Sequence, residues 1–403
     1  MNPAFAPLCA VLALASAQAS ASGFALAEQS ASGLGNAFAG AAASAVDAST
    51  VWHNPAGLML LKSRQLAVAA HVVRPRFEFD GTVAPAIGGG NGGDAGAAAA
   101  IPNAYLAMRL APEMVFGVGV NVPFGLATEY DSDWKGRLHA IKSKLETLNL
   151  NPALAFRISD RFSVGAGANV QFARAALSNN AGGAGLATIK GDDLGYGWNV
   201  GALWQATPAT RVGLAYRSQI RFRLEGDASF SLAAALNGPV HANLTLPDSA
   251  SLSLVHAPAP RWELLADASW TDWSDFRELA IMRAAGTPLA PATPENWSDS
   301  WRYSLGVNWR ASDGVTLRTG AAYDETPVAD VFRTARIPDQ NRIWLALGAQ
   351  FRLGGASRVD IGYAHLFIER ATLDETAQLA PVVLSGGYDA SADILSAQYT
   401  LDL

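Results

Sequence analysis

The stretch WRYSLGVNW at residues 301–309 alternates large apolar side chains with small or polar ones. Successive side chains of a β-strand point to opposite faces, so a period of two predicts a strand with two different faces. The same alternation recurs at residues 162–172, 198–204 and 395–403. From about residue 64 to the C-terminus the chain therefore predicts an all-β fold. In the first stretch the apolar positions are Trp301, Tyr303, Leu305, Val307 and Trp309, and the others are Arg302, Ser304, Gly306 and Asn308.

Between these segments, short and long connections alternate along the chain. The short ones lie at 111–113, 159–160, 207–210, 258–260, 312–314 and 354–356. The long ones are polar or rich in glycine and proline, and lie near 81–96, 129–147, 178–191, 226–240, 277–297, 326–339 and 371–389. Short turns at one rim and long loops at the other are typical of an outer-membrane barrel. The segments between the connections number fourteen, which predicts a 14-stranded antiparallel transmembrane β-barrel with both ends on the periplasmic side.

Composition agrees with a membrane barrel. Of the 403 residues, 50% are hydrophobic and 16% are charged, with a net charge of −6. Such a chain is too apolar to be disordered or to bind nucleic acid. Beyond the N-terminus no apolar run reaches the roughly 18 residues of a membrane helix. A soluble β-sandwich or barrel with one buried face would show the same alternation and stays the alternative fold.

The first 21 residues are predicted to be a secretory signal peptide. They contain no charged side chain, carry an apolar stretch at Leu8–Ala15, and end in the small-residue pattern Ala19-Ser20-Ala21. Cys9, the only cysteine, lies inside this segment. A mature chain without a thiol suits an oxidising compartment and excludes disulfides and cysteine-ligated metals.

Residues 22–63 break the strand rhythm. They are rich in alanine, glycine and serine, with short helical stretches expected near residues 30–45 and a turn at Asn54-Pro55. Such a segment either hangs in the periplasm or folds into the bore. Fourteen strands enclose more space than their own side chains fill. We therefore predict an N-terminal hatch at 22–63 that plugs a barrel formed by 64–403.

Several motifs resemble the FadL family of outer-membrane transporters for long-chain fatty acids and other hydrophobic compounds, including its toluene-uptake branch. They are SGLGNAFAG at 32–40, NPA at 54–56, FGLATEY at 124–130, GWNVG at 197–201, TLP at 245–247, WTDWSDF at 270–276, RTGAAYDETPV at 318–328 and IPDQNR at 337–342. The resemblance implies a fourteen-stranded barrel in the outer membrane, closed by a hatch. It further implies a hydrophobic ligand, contact with membrane lipid and lipopolysaccharide, no cofactor, and a protein that we expect to be monomeric.

The resemblance also assigns roles to residues of the hatch. Phe24 and Leu26 are expected to reach into the bore near the ligand and to move when it binds. Asn54, Pro55 and Ala56 are expected to hold the hatch fold, together with Gly33 and Gly35 of the preceding motif.

The third strand contains a predicted interruption at Asn121-Val122-Pro123-Phe124-Gly125. Pro123 has no N–H to give to a neighbouring strand, and Gly125 permits backbone angles that kink the ladder. The resemblance places a lateral ligand exit here, and our hypothesis is that Phe124 lines the opening. A bulge at the rim or the start of an extracellular loop is the structural alternative.

The polar contacts of the ligand are less well defined. Where fatty-acid transporters of the family place basic residues, this chain has Asn179 and Ser298. Neutral or aromatic hydrocarbons thus stay open beside fatty acids, with Arg174, Arg221 and Arg223 as candidate carboxylate partners. Arginines inside strands, which also include Arg217 and Arg302, are expected to face the bore or lie at the rims, because a charge facing lipid costs roughly 2–4 kcal/mol.

Other functional classes have little support. The six histidines show no metal-ligand spacing, and neither GxSxG nor HExxH occurs. We therefore predict neither an enzyme nor a metal site. The glycine-rich stretch GGGNGGDAG at 88–96 is predicted to be a flexible loop, because no helix follows it. A general or substrate-specific diffusion porin is the closest functional alternative.

Overall fold

The structure is a computed structural model that describes residues 23–62, 64–378 and 380–403. The predicted signal peptide at 1–21 lies outside the described residues. The described residues form fourteen antiparallel strands that close into a barrel, as the alternating connections predicted. None of the described helices is long and apolar enough to cross a membrane.

Each strand pairs with the next along the chain, and some strands are interrupted. The strands are β1 (Gln65–Ala84), β2 (Ala99–Ala111), β3 (Met114–Asn121 and Gly125–Glu129), β4 (Lys142–Ser159), β5 (Phe162–Asn180), β6 (Leu186–Thr207), β7 (Thr210–Arg217 and Ile220–Phe230), β8 (Gly238–Leu246 and Ser249–Ala259), β9 (Trp262–Thr271), β10 (Ser300–Arg310), β11 (Val315–Asp324), β12 (Arg342–Arg352), β13 (Ser357–Ile368 and Ala371–Thr376) and β14 (Val383–Asp402). The ring closes where β1 pairs with β14, from Gln65↔Asp402 to Ala84↔Val383.

The apolar face of the strands points outward. In β10 the side chain of Leu305 is 69% exposed, whereas its neighbour Ser304 is 3% exposed and faces the bore. Val68, Leu214 and Leu347 on other strands are likewise exposed. A soluble barrel would bury these side chains, so the orientation of the two faces excludes that alternative and suits a wall surrounded by hydrocarbon.

Several connections on the long-loop side are shorter than predicted. The predicted loop at 178–191 is reduced to residues 181–185, because β5 and β6 continue to pair, for example at Asn179↔Ala187. The predicted loop at 371–389 is reduced to 377–382. The parts of these strands that lie within the predicted loops carry charged residues such as Lys190 on the outward face, where the lower parts carry apolar residues. The alternation of apolar side chains therefore ends before the hydrogen-bonded pairing of the strands does.

The bore holds residues 23–62 as a series of short turns. These are α1 (Ala31–Leu34), α2 (Ala41–Ser44), α3 (Thr50–His53) and a 3₁₀ segment (Pro55–Leu60). Helices of four residues are not stable alone, and wall contacts hold them in place. Ala31 N donates to Gln398 Oε1 at 3.1 Å, and Ala42 N donates to Ser253 Oγ at 2.9 Å.

Asn54 joins the hatch to the wall. Its Nδ2 donates to Ala42 O at 2.7 Å and to Ala202 O at 3.0 Å, and its Oδ1 accepts from Ala56 N at 3.0 Å. The wall residue opposite is Gly201, where a side chain would collide with Asn54 Oδ1. A glycine is therefore required at this point of the wall.

We predict that Gly201→Val dislodges the hatch without unfolding the barrel. The new side chain collides with Asn54, so limited proteolysis should cleave within 23–62 faster than in the wild type, while circular dichroism still reports the strands. Gly183→Val is the control, because a Cβ there meets nothing within 4 Å. Equal protection of the hatch in both variants would contradict the role given to the Gly201–Asn54 contact.

Candidate ligand site

The first described residues of the hatch lie against the interrupted strand β3. Leu26 N donates to Pro123 O at 2.8 Å, and Gly125 N donates to Phe24 O at 2.8 Å. Ala25 and Phe124 thus form a short antiparallel bridge. The predicted kink residues and the predicted hatch residues are brought together at one place.

The interruption separates β3 from β2. Three residues of β3, 122–124, stand opposite only two residues of β4, 147–148. One extra residue on one strand is the definition of a β-bulge. Before the bulge, β3 pairs with both neighbours; after it, the Gly125–Glu129 segment pairs with β4. The last pair between β2 and β3 is Ala104↔Val120, so the preceding residues of β2 have no β3 partner.

Side chains replace part of the missing ladder. Phe124 N donates to Thr147 Oγ1 at 3.0 Å. Gln29 Nε2 donates to Val122 O at 3.0 Å, and Asn121 Nδ2 donates to Gln29 Oε1 at 2.9 Å. Asn121, 0% exposed, is thus part of the contact between wall and hatch.

Phe24 occupies an aromatic cage. Its ring centroid lies 4.6 Å from that of Trp273, 5.7 Å from Phe276 and 5.5 Å from Trp297, all three from the long loop between β9 and β10. The fourth aromatic neighbour is Phe124 of the kink, at 6.3 Å. Phe24 is 2% exposed. The apolar cluster around this cage continues through Leu126, Leu145, Ala173, Ile220, Phe222, Leu224, Leu244, Leu246, Val328 and Ile337.

A cavity of about 210 Å³ lies beneath the cage, between the hatch and strands β6 to β11. One side is apolar and includes Leu26, Phe38 and Pro123. The other side is polar and includes Arg217 and Arg302. The cavity therefore links the kink of β3 with the opposite wall of the bore.

Both cavity arginines fasten the hatch to the wall, and both face the bore as predicted. The guanidinium of Arg217 lies 3.5 Å from the ring centroid of Trp52 and donates to Trp52 O at 2.9 Å. Arg302 Nη2 donates to Ala37 O at 2.8 Å. Each guanidinium thus satisfies a main-chain carbonyl of the hatch in a buried setting.

The N-terminal segment is also tied to a loop on the far side of the barrel. Gly23 N donates to Asp339 Oδ2 at 3.0 Å, and Asp339 forms a buried ion pair with Arg342. Asp339 lies in the loop between β11 and β12. Burial raises the pKa of Asp339, while Arg342 opposes this rise.

Glu295 holds one residue of the aromatic cage by a hydrogen bond. It is 2% exposed, and its Oε2 accepts from Trp297 Nε1 at 3.0 Å. Burial raises the pKa of Glu295 to about 8, against a lowering by the hydrogen bond from Trp297. The carboxyl group is therefore largely protonated at neutral pH.

Two glycines of the SGLGNAFAG motif allow close packing, one against the wall and one within the hatch. A Cβ on Gly35 would approach Gly348 Cα of β12 to 2.9 Å, and one on Gly33 would approach the Phe38 ring to 2.6 Å. Pro55 and Ala56 lie against Gly165 of β5. These residues fix the hatch against the wall and do not reach the cage.

The three candidate carboxylate partners are not brought into the bore. Arg174 follows buried Ala173 and is exposed on the outward face. Arg221 and Arg223 alternate with buried Ile220 and Phe222, so they also point outward. Arg223 pairs with Glu225 at 3.1 Å. A ligand inside the bore would not reach these side chains.

Arg336 is a cationic side chain near the cage, and no sequence pattern identified it as a candidate site residue. Its Nη1 donates to Ser143 Oγ at 3.2 Å, and its Nη2 donates to Asn179 Oδ1 at 3.5 Å. Burial lowers the pKa of Arg336, while Glu375 and Glu295 oppose this fall. Because Ile337 belongs to the apolar cluster, a positive charge lies at the edge of the caged site. Only the fold of the β11–β12 loop brings it there.

Within the described ranges, no group of three or more His, Cys, Asp and Glu side chains could hold a metal ion. The site is thus built from aromatic and aliphatic side chains, with arginines at its edges. Such a site binds through apolar contact and orients a ligand with few polar groups.

Comparison with known proteins gives consistent matches over the chain. Residues 12–403 match the family described as outer membrane protein transport protein (OMPP1/FadL/TodX). The chain is 34% identical to a 47 kDa outer membrane protein of Pasteurella multocida, over 91% of this chain and 92% of that protein. It is 29% identical to the long-chain fatty acid transport protein of Salmonella typhi, again over 91% and 92%.

Solved structures share the architecture. A FadL homologue of Pseudomonas aeruginosa has a TM-score of 0.89 and 26% identity, covering 94% of this chain and 99% of that chain. The toluene transporter TodX of P. putida has a TM-score of 0.70 and 19% identity, covering 88% and 94%. The second likeness concerns the fold alone.

We predict that alkaline pH loosens the aromatic cage. The pKa of Glu295 is raised in the folded state, so its stabilising contribution is complete below the ordinary pKa of 4.5 and is lost as pH rises through about 8. Amide hydrogen exchange in the loop 272–299, corrected for its intrinsic pH dependence, should accelerate between pH 6 and about 9. Glu295→Gln keeps an acceptor for Trp297 and should remove this acceleration; an unchanged pH profile in the variant would assign the effect to another group.

Proposed function

Because the chain belongs to the OMPP1/FadL/TodX family of outer membrane transport proteins, we propose that it carries hydrophobic small molecules, either long-chain fatty acids or aromatic hydrocarbons, into the outer membrane. The chain is an outer membrane transporter and not an enzyme. Relatives named as long-chain fatty acid transport proteins and a toluene transporter of the same fold support this choice of ligands. Arg336 beside the cage favours a carboxylate among them.

One observation carries the proposal. The segment that places Phe24 in the aromatic cage also bonds through its backbone to the kink, from Leu26 N to Pro123 O. A ligand that enters the cage competes with the Phe24 ring for the same apolar surface. Displacing Phe24 pulls this segment away from Pro123, which couples binding to the opening of the wall.

The energies allow this competition. Burial of a phenylalanine side chain contributes about 1.5–3 kcal/mol, whereas each buried methylene of a ligand contributes about 0.8 kcal/mol. About four methylenes therefore offset the loss of Phe24. A long alkyl chain or a substituted ring exceeds this threshold, and a small polar solute does not.

Lateral release through the gap beside β3 follows from the same chemistry. An apolar ligand that leaves sideways enters hydrocarbon and avoids water throughout. The break between β2 and β3 beyond Ala104↔Val120 provides the place. Contact with membrane lipid is part of this route. We also propose that the barrel contacts lipopolysaccharide and that the protein is monomeric.

A diffusion porin fits less well. An open porin needs a water-filled passage, whereas the hatch fills this bore and Phe24 closes the apolar site. Electrical recording should therefore show low conductance, and a large steady conductance would favour the porin.

We predict that Phe24→Ala strengthens binding of a long-chain fatty acid to the purified protein. The variant removes the competitor for the cage, so affinity should rise about tenfold to hundredfold by titration calorimetry. Leu34→Ala removes a buried hatch side chain that belongs to a different cluster and should leave affinity unchanged. Weaker binding by Phe24→Ala would mean that Phe24 is part of the pocket and not its occupant.

The lateral exit has its own test. Pro123→Val combined with Gly125→Val restores a donor and limits the backbone at the kink, so β3 should pair through. We expect loss of cellular uptake of radiolabelled oleate or toluene, with ligand binding retained. Pro152→Val in β4, a strand proline outside the kink, is the control. Normal uptake by the double variant, with normal barrel assembly, would contradict lateral exit at this point.

A further inference from the structure

A second void lies at the short-turn end of the bore, between the hatch and strands β7 to β12. Its volume is about 580 Å³. We call it the vestibule. Its charged lining consists of Arg211, Arg261, Arg310, Arg318 and Glu263. The vestibule belongs to the periplasmic side, because the short turns and both chain ends of the barrel lie there.

The charges of the vestibule are strongly unbalanced. Four arginines line it against one carboxylate, and that carboxylate already accepts from Asn308 Nδ2 at 3.0 Å. Arg318 forms a buried ion pair with Asp360. Among the described residues the other three arginines form no ion pair within 4 Å, and Arg211 alone of them interacts electrostatically with Glu263.

Two of the lining arginines have unused hydrogen-bond donors. The Nε atoms of Arg211 and Arg318 are buried and have no acceptor in the described part of the chain. Arg318 is 4% exposed. A buried N–H without an acceptor is costly, and a guanidinium is shaped to receive a carboxylate. The vestibule therefore presents two buried guanidinium N–H groups without an acceptor, and one of them belongs to Arg211, which forms no ion pair in the described part of the chain.

Part of the remaining lining is apolar, and the other part consists of uncharged polar side chains. Val255, Pro258 and Pro260 contribute to its lining, and Trp262 stands at its rim. Trp262 stacks on Trp309 with ring centroids 5.7 Å apart. A ligand that contacts both the arginines and the apolar part of the vestibule carries a carboxylate on an apolar chain.

A single helical turn separates the vestibule from the cavity beneath the cage. Ala41 and Ala42 of α2 line the upper cavity, whereas Ser44 at the end of α2 lines the vestibule. Arg211 Nη2 donates to Ser44 O at 3.2 Å, so one vestibule arginine holds this turn. An anion bound at Arg211 would compete for the same guanidinium.

We propose that the vestibule is a binding site for the carboxylate of an amphiphilic ligand on the periplasmic side of the hatch. The inference rests on the proposed function and deepens it, because it selects ionised acids over plain hydrocarbons at this site. It gives an acid a second position, separate from the cage around Phe24.

Photolabelling of the full-length purified protein tests the site. One probe is a long-chain fatty acid with a diazirine beside the carboxyl group, and the other is the alcohol of the same length with the same diazirine. Mass spectrometry locates the labels. The acid should label both the cage region and the vestibule at residues 44–46 and 258–263, whereas the alcohol should label the cage region alone.

Two variants sharpen the result. Arg211→Gln combined with Arg310→Gln removes two cationic partners and should lower vestibule labelling by the acid by more than about tenfold, since one charged hydrogen bond alone contributes about that factor. Labelling of the cage region should persist, which shows that the variant folds. Arg161→Gln is the control, because Arg161 is exposed on a periplasmic turn and does not line the vestibule.

The outcomes separate the two proposals. Equal vestibule labelling by acid and alcohol, or labelling that survives the double variant, overturns the carboxylate site. Labelling of the cage without the vestibule also overturns it but leaves the proposed function intact. Labelling of neither region by either probe overturns the proposed function and this inference with it.

Discussion

The wall of this barrel depends on backbone hydrogen bonds that close into a ring, because hydrocarbon offers no partner to an unpaired N–H or C=O group. The pairing of β1 with β14 completes the ring along twenty residues of β1. The ring is interrupted beyond Ala104↔Val120, where β2 loses its β3 partner. There the hatch supplies a substitute, through Leu26 N and the side chain of Gln29. The same contact between hatch and wall therefore compensates for the missing strand pairing and holds Phe24 in its position.

The hatch has no stability of its own to contribute. Its helices are four residues long, and two of them use a wall group to satisfy a donor, as Ala31 does with Gln398 and Ala42 with Ser253. Isolated helices of this length do not form in water. The short turns of the hatch therefore depend on the surrounding wall for their stability.

The sequence predicted the wall better than the site. Alternation at 301–309 identified a strand, and the rhythm of the connections gave the strand number, because both depend on local patterns. Loop boundaries near 178–191 were wrong, because strands that rise beyond the membrane lose their apolar residues and look like loops. The break in the strand rhythm at 22–63 and the space inside fourteen strands predicted the hatch, and the family resemblance, confirmed by the match over residues 12–403, implied it as well.

Side-chain direction in the upper strands and loops was not readable from local sequence. Arg174, Arg221 and Arg223 fall on the outward face because their neighbours Ala173, Ile220 and Phe222 pack around the cage. Arg336 reaches the site through a loop whose course no pattern encodes. Trp273 and Trp297 meet Phe24 across more than two hundred residues of chain. Such contacts arise from tertiary structure alone.

Most bonds between hatch and wall join a side chain on one partner to the main chain of the other. Asn54 binds the carbonyl of Ala202, Tyr105 binds that of Gln29, and Ser163 binds that of Ala56. A main-chain atom keeps its position whatever residue bears it. The hatch is therefore free to vary in sequence at many carbonyl-bearing positions, while the wall side chains that bind these carbonyls and a few glycines stay fixed. One bore is thereby compatible with hatch segments of quite different composition.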